Sequence, residues 1–391
     1  MIQIGLKQLI IFVLLMTNVD ILYKTIEQGR EGKNKGFSTG IQKLDEYTGG
    51  VRSGIYTLIF GLSGSGKTAL ALYSYIYRPL KDNPDANIVI VYYSLEMSAP
   101  ILLSKLLCMY IYEEFGKIIP YTTLMSWQDK LSDESYAYVQ KGKEWLKSIE
   151  KKFIIFDKSL NNKSFYHSLM TLLESWGTFT PVNDGKQTIY IKNDPDQVVQ
   201  VIIDHIGLCQ AVDGHSKKEE IDLISSYCVS IREKCRVSFT ILQQENRNSS
   251  DIDRVKAGMT ECSPDGLKDS GGPYNDCEVC IGVYYPLKFK LKSYQGYPII
   301  IEDTGQQNPF LGLRDRIRVL CLLKNRQGIS DRVIPVNFFG ELGIFRQLPS
   351  SKQITDWRPY LNLNNLSISQ NINKIEDLVQ KEPQKELNYH F

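Results

Sequence analysis

Eight consecutive residues, Gly61-Leu62-Ser63-Gly64-Ser65-Gly66-Lys67-Thr68, constrain this chain more than any other stretch. They fit G-x-x-x-x-G-K-[ST], and the flanks give the match its meaning. Ile55 to Phe60 (IYTLIF) is apolar and rich in β-branched and aromatic residues, which predicts a buried strand, whereas Ala69 to Tyr77 (ALALYSYIY) predicts a helix. A turn between such elements aims backbone N–H groups and a helix N-terminus at an anion. Gly61, Gly64 and Gly66, with Ser63 and Ser65 between them, let the backbone close around phosphate; Lys67 is placed to reach it and the Thr68 hydroxyl to ligate Mg²⁺.

The 391 residues leave room for one large domain or two ordinary ones, and 42% hydrophobic content is enough for a sizeable core. A formal charge of +2, from 46 basic and 44 acidic residues, excludes an overall basic field, so any contact with nucleic acid must come from a local surface. Eight cysteines lie scattered, mostly in apolar segments, which predicts buried thiols without disulfides, as in a cytosolic protein. Cys277-Glu278-Val279-Cys280 has no second pair or histidine at zinc spacing and reads as core packing.

Residues 1–16 (MIQIGLKQLIIFVLLM) are apolar but too short to span a bilayer, and no small-residue cleavage site follows. Met16 reads as a second possible start; a helix that docks on a neighbouring subunit is the other reading. Asp20 to Gln28 is expected to be helical and residues 29–36 a flexible linker. The main domain is expected over residues 37–348, followed by a polar, mobile tail over 349–391 with a short helix at Ile372 to Gln380. Two stretches read as insertions, residues 180–196 and 287–316, both as hairpins or loops; in the second, Lys288, Lys290 and Lys292 read as a solvated strand edge or, less readily, a nucleic-acid contact.

Two carboxylates follow the phosphate loop at strand ends. Asn87 to Tyr93 (NIVIVYY) runs into Ser94-Leu95-Glu96-Met97, and Val198 to Ile203 ends in Asp204. Glu96 at such a tip is placed to orient a water for attack on a γ-phosphate, and Asp204 to hold Mg²⁺ across the cleft from Thr68. Residues 207–218 are expected to form a mobile loop in which Lys217 and Lys218 are either phosphate contacts or a solvated pair.

The ordered set resembles the DnaB-type replicative helicases, compact and phage-like, within the RecA-like ATPases. The resemblance rests on Phe37 to Gly54 (TG…LD…TGG…G), the phosphate loop, "SLEM" at 94–97, Asp204, Gln243-Gln244-Glu245-Asn246-Arg247, the glycine-containing segment 266–276 and Lys324-Asn325-Arg326-Gln327-Gly328. It implies an α/β fold with a mostly parallel central sheet, ATP and Mg²⁺ as ligands, and a homo-oligomer, typically a hexameric ring, that hydrolyses ATP between subunits while moving on single-stranded DNA. It further implies Gln244 as a γ-phosphate sensor, Lys324 and Arg326 as residues acting on the neighbouring subunit's nucleotide, and Lys268, Asp269, Ser270 and Gly271 as a DNA-contacting loop whose exposed N–H groups at 270–272 grip a phosphate. Lys268 stands where the family has arginine, which loses a bidentate grip. Primase or a helicase loader are the implied partners, in the cytoplasm and away from any membrane. The rival readings are a RecA/RadA-like recombination ATPase and a non-catalytic, ATP-gated ring or adaptor.

Overall fold

The computed structural model describes residues 17–363 except 33, 128, 183–184, 213, 247–259 and 302–310. The apolar segment 1–16, the tail helix at 372–380 and Arg247 therefore lie outside the described residues.

In chain order, α1 (Asn18–Arg30) and α2 (Gln42–Thr48) precede β1 (Tyr56–Gly61). The helix after the phosphate loop starts as α3 (Lys67–Leu70), passes through a π-helical stretch Ala71–Tyr77 and ends as α4 (Arg78–Asp82). Then come β2 (Ile88–Ser94), α5 (Ala99–Phe115), α6 (Tyr121–Leu124), α7 (Asp133–Ile149), β3 (Phe153–Phe156), α8 (Asn162–Trp176), β4 (Gly177–Val182), β5 (Gln187–Lys192), β6 (Val198–Asp204), α9 (Lys217–Cys235) and β7 (Ser238–Gln244). The chain continues with α10 (Gly272–Asp276), β8 (Val279–Tyr284), the two-residue strands β9 (Ser293–Tyr294) and β10 (Tyr297–Pro298), β11 (Ile317–Asn325), β12 (Arg332–Phe339) and β13 (Ile344–Gln347).

Nine of these strands form one sheet in the order β13-β12-β11-β8-β1-β7-β6-β2-β3. From β8 to β3 the pairs are parallel, and β11, β12 and β13 extend the sheet in antiparallel fashion. Helices cover both faces, so β1 and β2 are buried along their whole length. Tyr56, Leu58 and Phe60 enter the core under α8 and α9, whereas Ile59 enters the other under the helix after the phosphate loop and α5. That period of two is hidden in the sequence because both faces are apolar. The expected mostly parallel α/β fold is observed.

Three local expectations change. The segment 180–196 is a hairpin, β4 with β5, that starts earlier, at Gly177. Of the residues expected to form a mobile loop at 207–218, the described ones between 209 and 216 carry no helix or strand, but the two ends are ordered, in a 3₁₀ turn at Ile206–Leu208 and in the first residues of α9, which Ser216 and Glu219 fix by a capping box. In the second insertion the lysines are not a strand edge: Pro286–Phe289 is a 3₁₀ turn, Lys290 ends it in left-handed backbone, and among the described residues of the segment only β9 and β10 pair. All eight cysteines are buried and unpaired, Cys277 and Cys280 in the core. Among the described residues, no helix is long and apolar enough to cross a membrane.

Candidate nucleotide site

Parallel strands place their carboxyl ends on one edge of the sheet, and the register shows which residues share it. Gly61 lies opposite Gln244, and Ser94 opposite Asp204. Ligands in open α/β sheets collect at such an edge, outside the strand ends. A cavity of about 600 Å³ opens there, lined by Lys67, Thr68, Glu96, Asp204, Gln244 and the β12–β13 turn. Its size falls in the range of small-molecule sites.

The loop from β1 is shaped by its glycines at two positions in particular. At Gly61 a Cβ would stand 2.6 Å from the carbonyl oxygen of Val283, and Gly66 has φ +105°, which side chains disfavour. Lys67 is buried and folds back so that Nζ donates to the carbonyls of Gly61 (3.0 Å) and Leu62 (3.1 Å). Burial lowers its ammonium pKa to about 8, against the opposing pull of Asp204 and Glu96.

Thr68 Oγ1 donates to Asp204 Oδ1 at 3.1 Å, and Tyr92 OH donates to Asp204 Oδ2 at 2.6 Å. Asp204 is 1% exposed; burial raises its carboxyl pKa, and the two hydrogen bonds restrain that rise. Tyr92 was missed in the sequence, where it is one tyrosine in an apolar run. Glu96 is exposed on the bend after β2. It does not cap α5: the first N–H of that helix, at Ala99, is taken by Asp157 Oδ2 at 3.0 Å. His205 lines the same cavity with Nδ1 buried and without a partner among the described residues, and burial lowers its pKa.

These residues fit a magnesium nucleotide. The loop offers a glycine cradle and a buried lysine, Ser65 Oγ is buried without a partner among the described residues, and hydroxyl and carboxylate oxygens meet at Thr68 and Asp204.

The two glutamines at the end of β7 have different surroundings. Gln244 lines the cavity, while Gln243, 1% exposed, donates from Nε2 to the carbonyls of Lys268 (2.6 Å) and Ser270 (2.7 Å). Backbone bonds from Asn246 to Gly266 and from Lys268 to Gln244 also tie the segment to the strand. Lys268, Asp269 and Gly271 are exposed, but Ser270 is buried and bonded to Asp222. The expected row of free N–H groups is corrected: Ser270 N–H donates to the Lys268 carbonyl and Gly272 N–H to Ser270 Oγ, because the turn closes on itself. Lys217 and Lys218 are exposed in the first turn of α9.

Lys324 and Arg326 are not in the cavity. Asn325 pairs with Val279, which pairs with Thr57, so they sit at the opposite edge of the sheet from Gly61. There Lys324 Nζ donates to the carbonyls of Tyr274 (2.6 Å) and Asn275 (3.0 Å), and Arg326 to that of Asn275 (2.8 Å).

Residues 36–163 match the family of the DnaB-like helicase C terminal domain. That span holds Lys67, Thr68 and Glu96. Among solved structures, the chain is similar to one described as the ATPase domain of G40P, with 17% identity and a TM-score of 0.64 over 85% of this chain and 100% of that one. It is also similar to a DnaB-like replicative helicase described with its interactions with primase, at 17% identity and a TM-score of 0.61 over 85% of this chain and 67% of that one. A search of the curated proteins found no match. The chain thus shares the fold of these two solved structures, and its residues 36–163 match the DnaB-like helicase C terminal domain.

Proposed function

We propose that the chain is an ATP-hydrolysing DNA helicase of DnaB type, acting in the cytoplasm as a homo-oligomeric ring, with a hexamer as the expected form, that moves on single-stranded DNA. The observation that carries this reading is the separation of two groups. Lys67, Thr68, Glu96, Asp204 and Gln244 share one sheet edge, whereas Lys324 and Arg326 lie at the other, a strand length of roughly 15–20 Å away. Two cations that cannot reach their own nucleotide suit one held by a neighbouring subunit.

In this reading the amide-lined loop binds the phosphates, and Lys67 exchanges its two carbonyl partners for phosphate oxygens. Thr68 and Asp204 hold magnesium, which when bound neutralises charge on the phosphates and orients them. Glu96 positions the attacking water, and Lys324 and Arg326 from the next subunit stabilise charge developing on the transferred group. Gln244 meets the γ-phosphate, and Gln243 carries its state to the Lys268–Gly271 loop, where Lys268 and Asp269 face DNA. Lys217 and Lys218 add a second basic contact. Primase or a loader remain candidate partners.

The test is ATP turnover with and without single-stranded DNA for the wild type, Glu96→Gln, Arg326→Ala and mixtures of the two variants. DNA-stimulated turnover that both substitutions abolish and mixing partly restores is expected. Turnover indifferent to DNA or to Arg326 would overturn the ring motor in favour of a recombination ATPase, and ATP binding without turnover in favour of a non-catalytic adaptor.

A further inference from the structure

Arg318 stands out as a charge in an otherwise apolar strand, IRVLCLL. It is 4% exposed, and its guanidinium lies 3.4 Å from the ring centre of Tyr285 and 4.8 Å from that of Phe338. It donates to three backbone carbonyls, Nε to Ser65 (2.8 Å) and one terminal nitrogen to Asp315 and Ile317 (both 2.8 Å), and it also meets the Tyr285 side chain. Among the described residues it has no carboxylate partner. Asp315 and Tyr285 favour its charge only through space or through the ring, and a buried cation with no carboxylate in contact is costly.

Lys288 supplies a second cation nearby. It extends from the 3₁₀ turn after β8, and its Nζ donates to the carbonyl of Ser63. Burial, and after it Arg318, disfavours the charge on Lys288; burial, and more weakly Lys288, disfavours that on Lys67, so the three cations crowd the loop.

The carbonyls they hold lie one residue before Gly64 and Gly66. In a planar trans peptide the C=O and the following N–H point in opposite directions. A donor fixed on the Ser63 carbonyl therefore turns the Gly64 N–H away from it, and Arg318 does the same for the Gly66 N–H. Among the described residues neither N–H meets a backbone acceptor. Hydrogen bonding at the carbonyl also polarises the peptide and strengthens its N–H as a donor.

We propose that Arg318 and Lys288 are positioning residues: a cationic brace on the outer side of the phosphate loop that aims the Gly64 and Gly66 N–H groups at a nucleotide's phosphates and adds positive field behind them. The proposal rests on the nucleotide-binding reading above. It also gives part of the insertion after β8 a purpose, that of carrying Lys288 to the loop.

ATP and ADP are titrated calorimetrically, with magnesium, into the full chain carrying Lys288→Gln, Arg318→Lys, Arg318→Gln or Lys67→Ala, and thermal unfolding is followed without nucleotide. Losing one charge-assisted hydrogen bond should weaken both nucleotides about fivefold in Lys288→Gln, with the unfolding temperature unchanged. Arg318→Lys should retain more affinity than Arg318→Gln. Lys288→Gln binding within twofold of wild type, while Lys67→Ala abolishes binding, would overturn the brace and leave the nucleotide reading intact. A wild type that binds neither nucleotide would overturn both. Should Arg318→Gln fail to fold, the surface variant Lys288→Gln decides.

Discussion

Thr68 and Asp204, 136 positions apart in the chain, meet at 3.1 Å through hydroxyl and carboxylate, with Tyr92 holding the second carboxylate oxygen at 2.6 Å. The three side chains are thus held against one another by their own hydrogen bonds. A pre-set site avoids the entropy of ordering three side chains on binding.

Asp204→Asn is expected to keep the fold, since an amide oxygen still accepts from Tyr92 or Thr68, and to lower ATP turnover by about 100-fold or more, the scale for removing one preorganised electrostatic group. Magnesium titrations should show a higher metal requirement. Tyr92→Phe should show a weaker form of the same defect. Unchanged turnover in Asp204→Asn would remove Asp204 from the site.

Gln243 and Gln244 should separate cleanly on mutation. Gln243→Leu leaves the Ser270 carbonyl without its donor and the Lys268 carbonyl with the Ser270 N–H alone, so urea unfolding should show a loss of about 1–3 kcal/mol, and DNA should no longer stimulate turnover. Gln244→Ala, at a half-buried position on the cavity wall, should stay within about 0.5 kcal/mol of wild-type stability yet lose turnover. The reverse pattern would mean that the sensing role belongs to Gln243.

Glu113 on α5 accepts from Arg346 on β13 and pairs with Arg78 at 3.4 Å, all three largely buried. Glu113→Gln keeps the volume but removes the charge between two arginines. Because the cost of a broken buried pair comes from the stranded partner, destabilisation of roughly 2–4 kcal/mol is expected in urea unfolding. A change below about 0.5 kcal/mol would assign the pair to the class of surface bridges that contribute little.

The sequence by itself determined the phosphate loop and the strand-end positions of Glu96, Asp204 and Gln244, because these depend on short-range signals: glycine spacing, apolar runs and where each run stops; the mostly parallel α/β fold followed from the family resemblance that those motifs carry. Only the tertiary structure decided what lies behind and between them. Tyr92 on Asp204, Gln243 under the Lys268 loop, and Arg318 and Lys288 on the loop's carbonyls all come from strands or turns distant in sequence. Their side chains read as core or solvent until the register is known. The same holds for the lysines at 288–292, whose alternation looks like a strand edge but whose backbone turns at Lys290. Local pattern specifies an element and its end, whereas a contact partner is set by how sheets and helices pack, which no window of sequence contains.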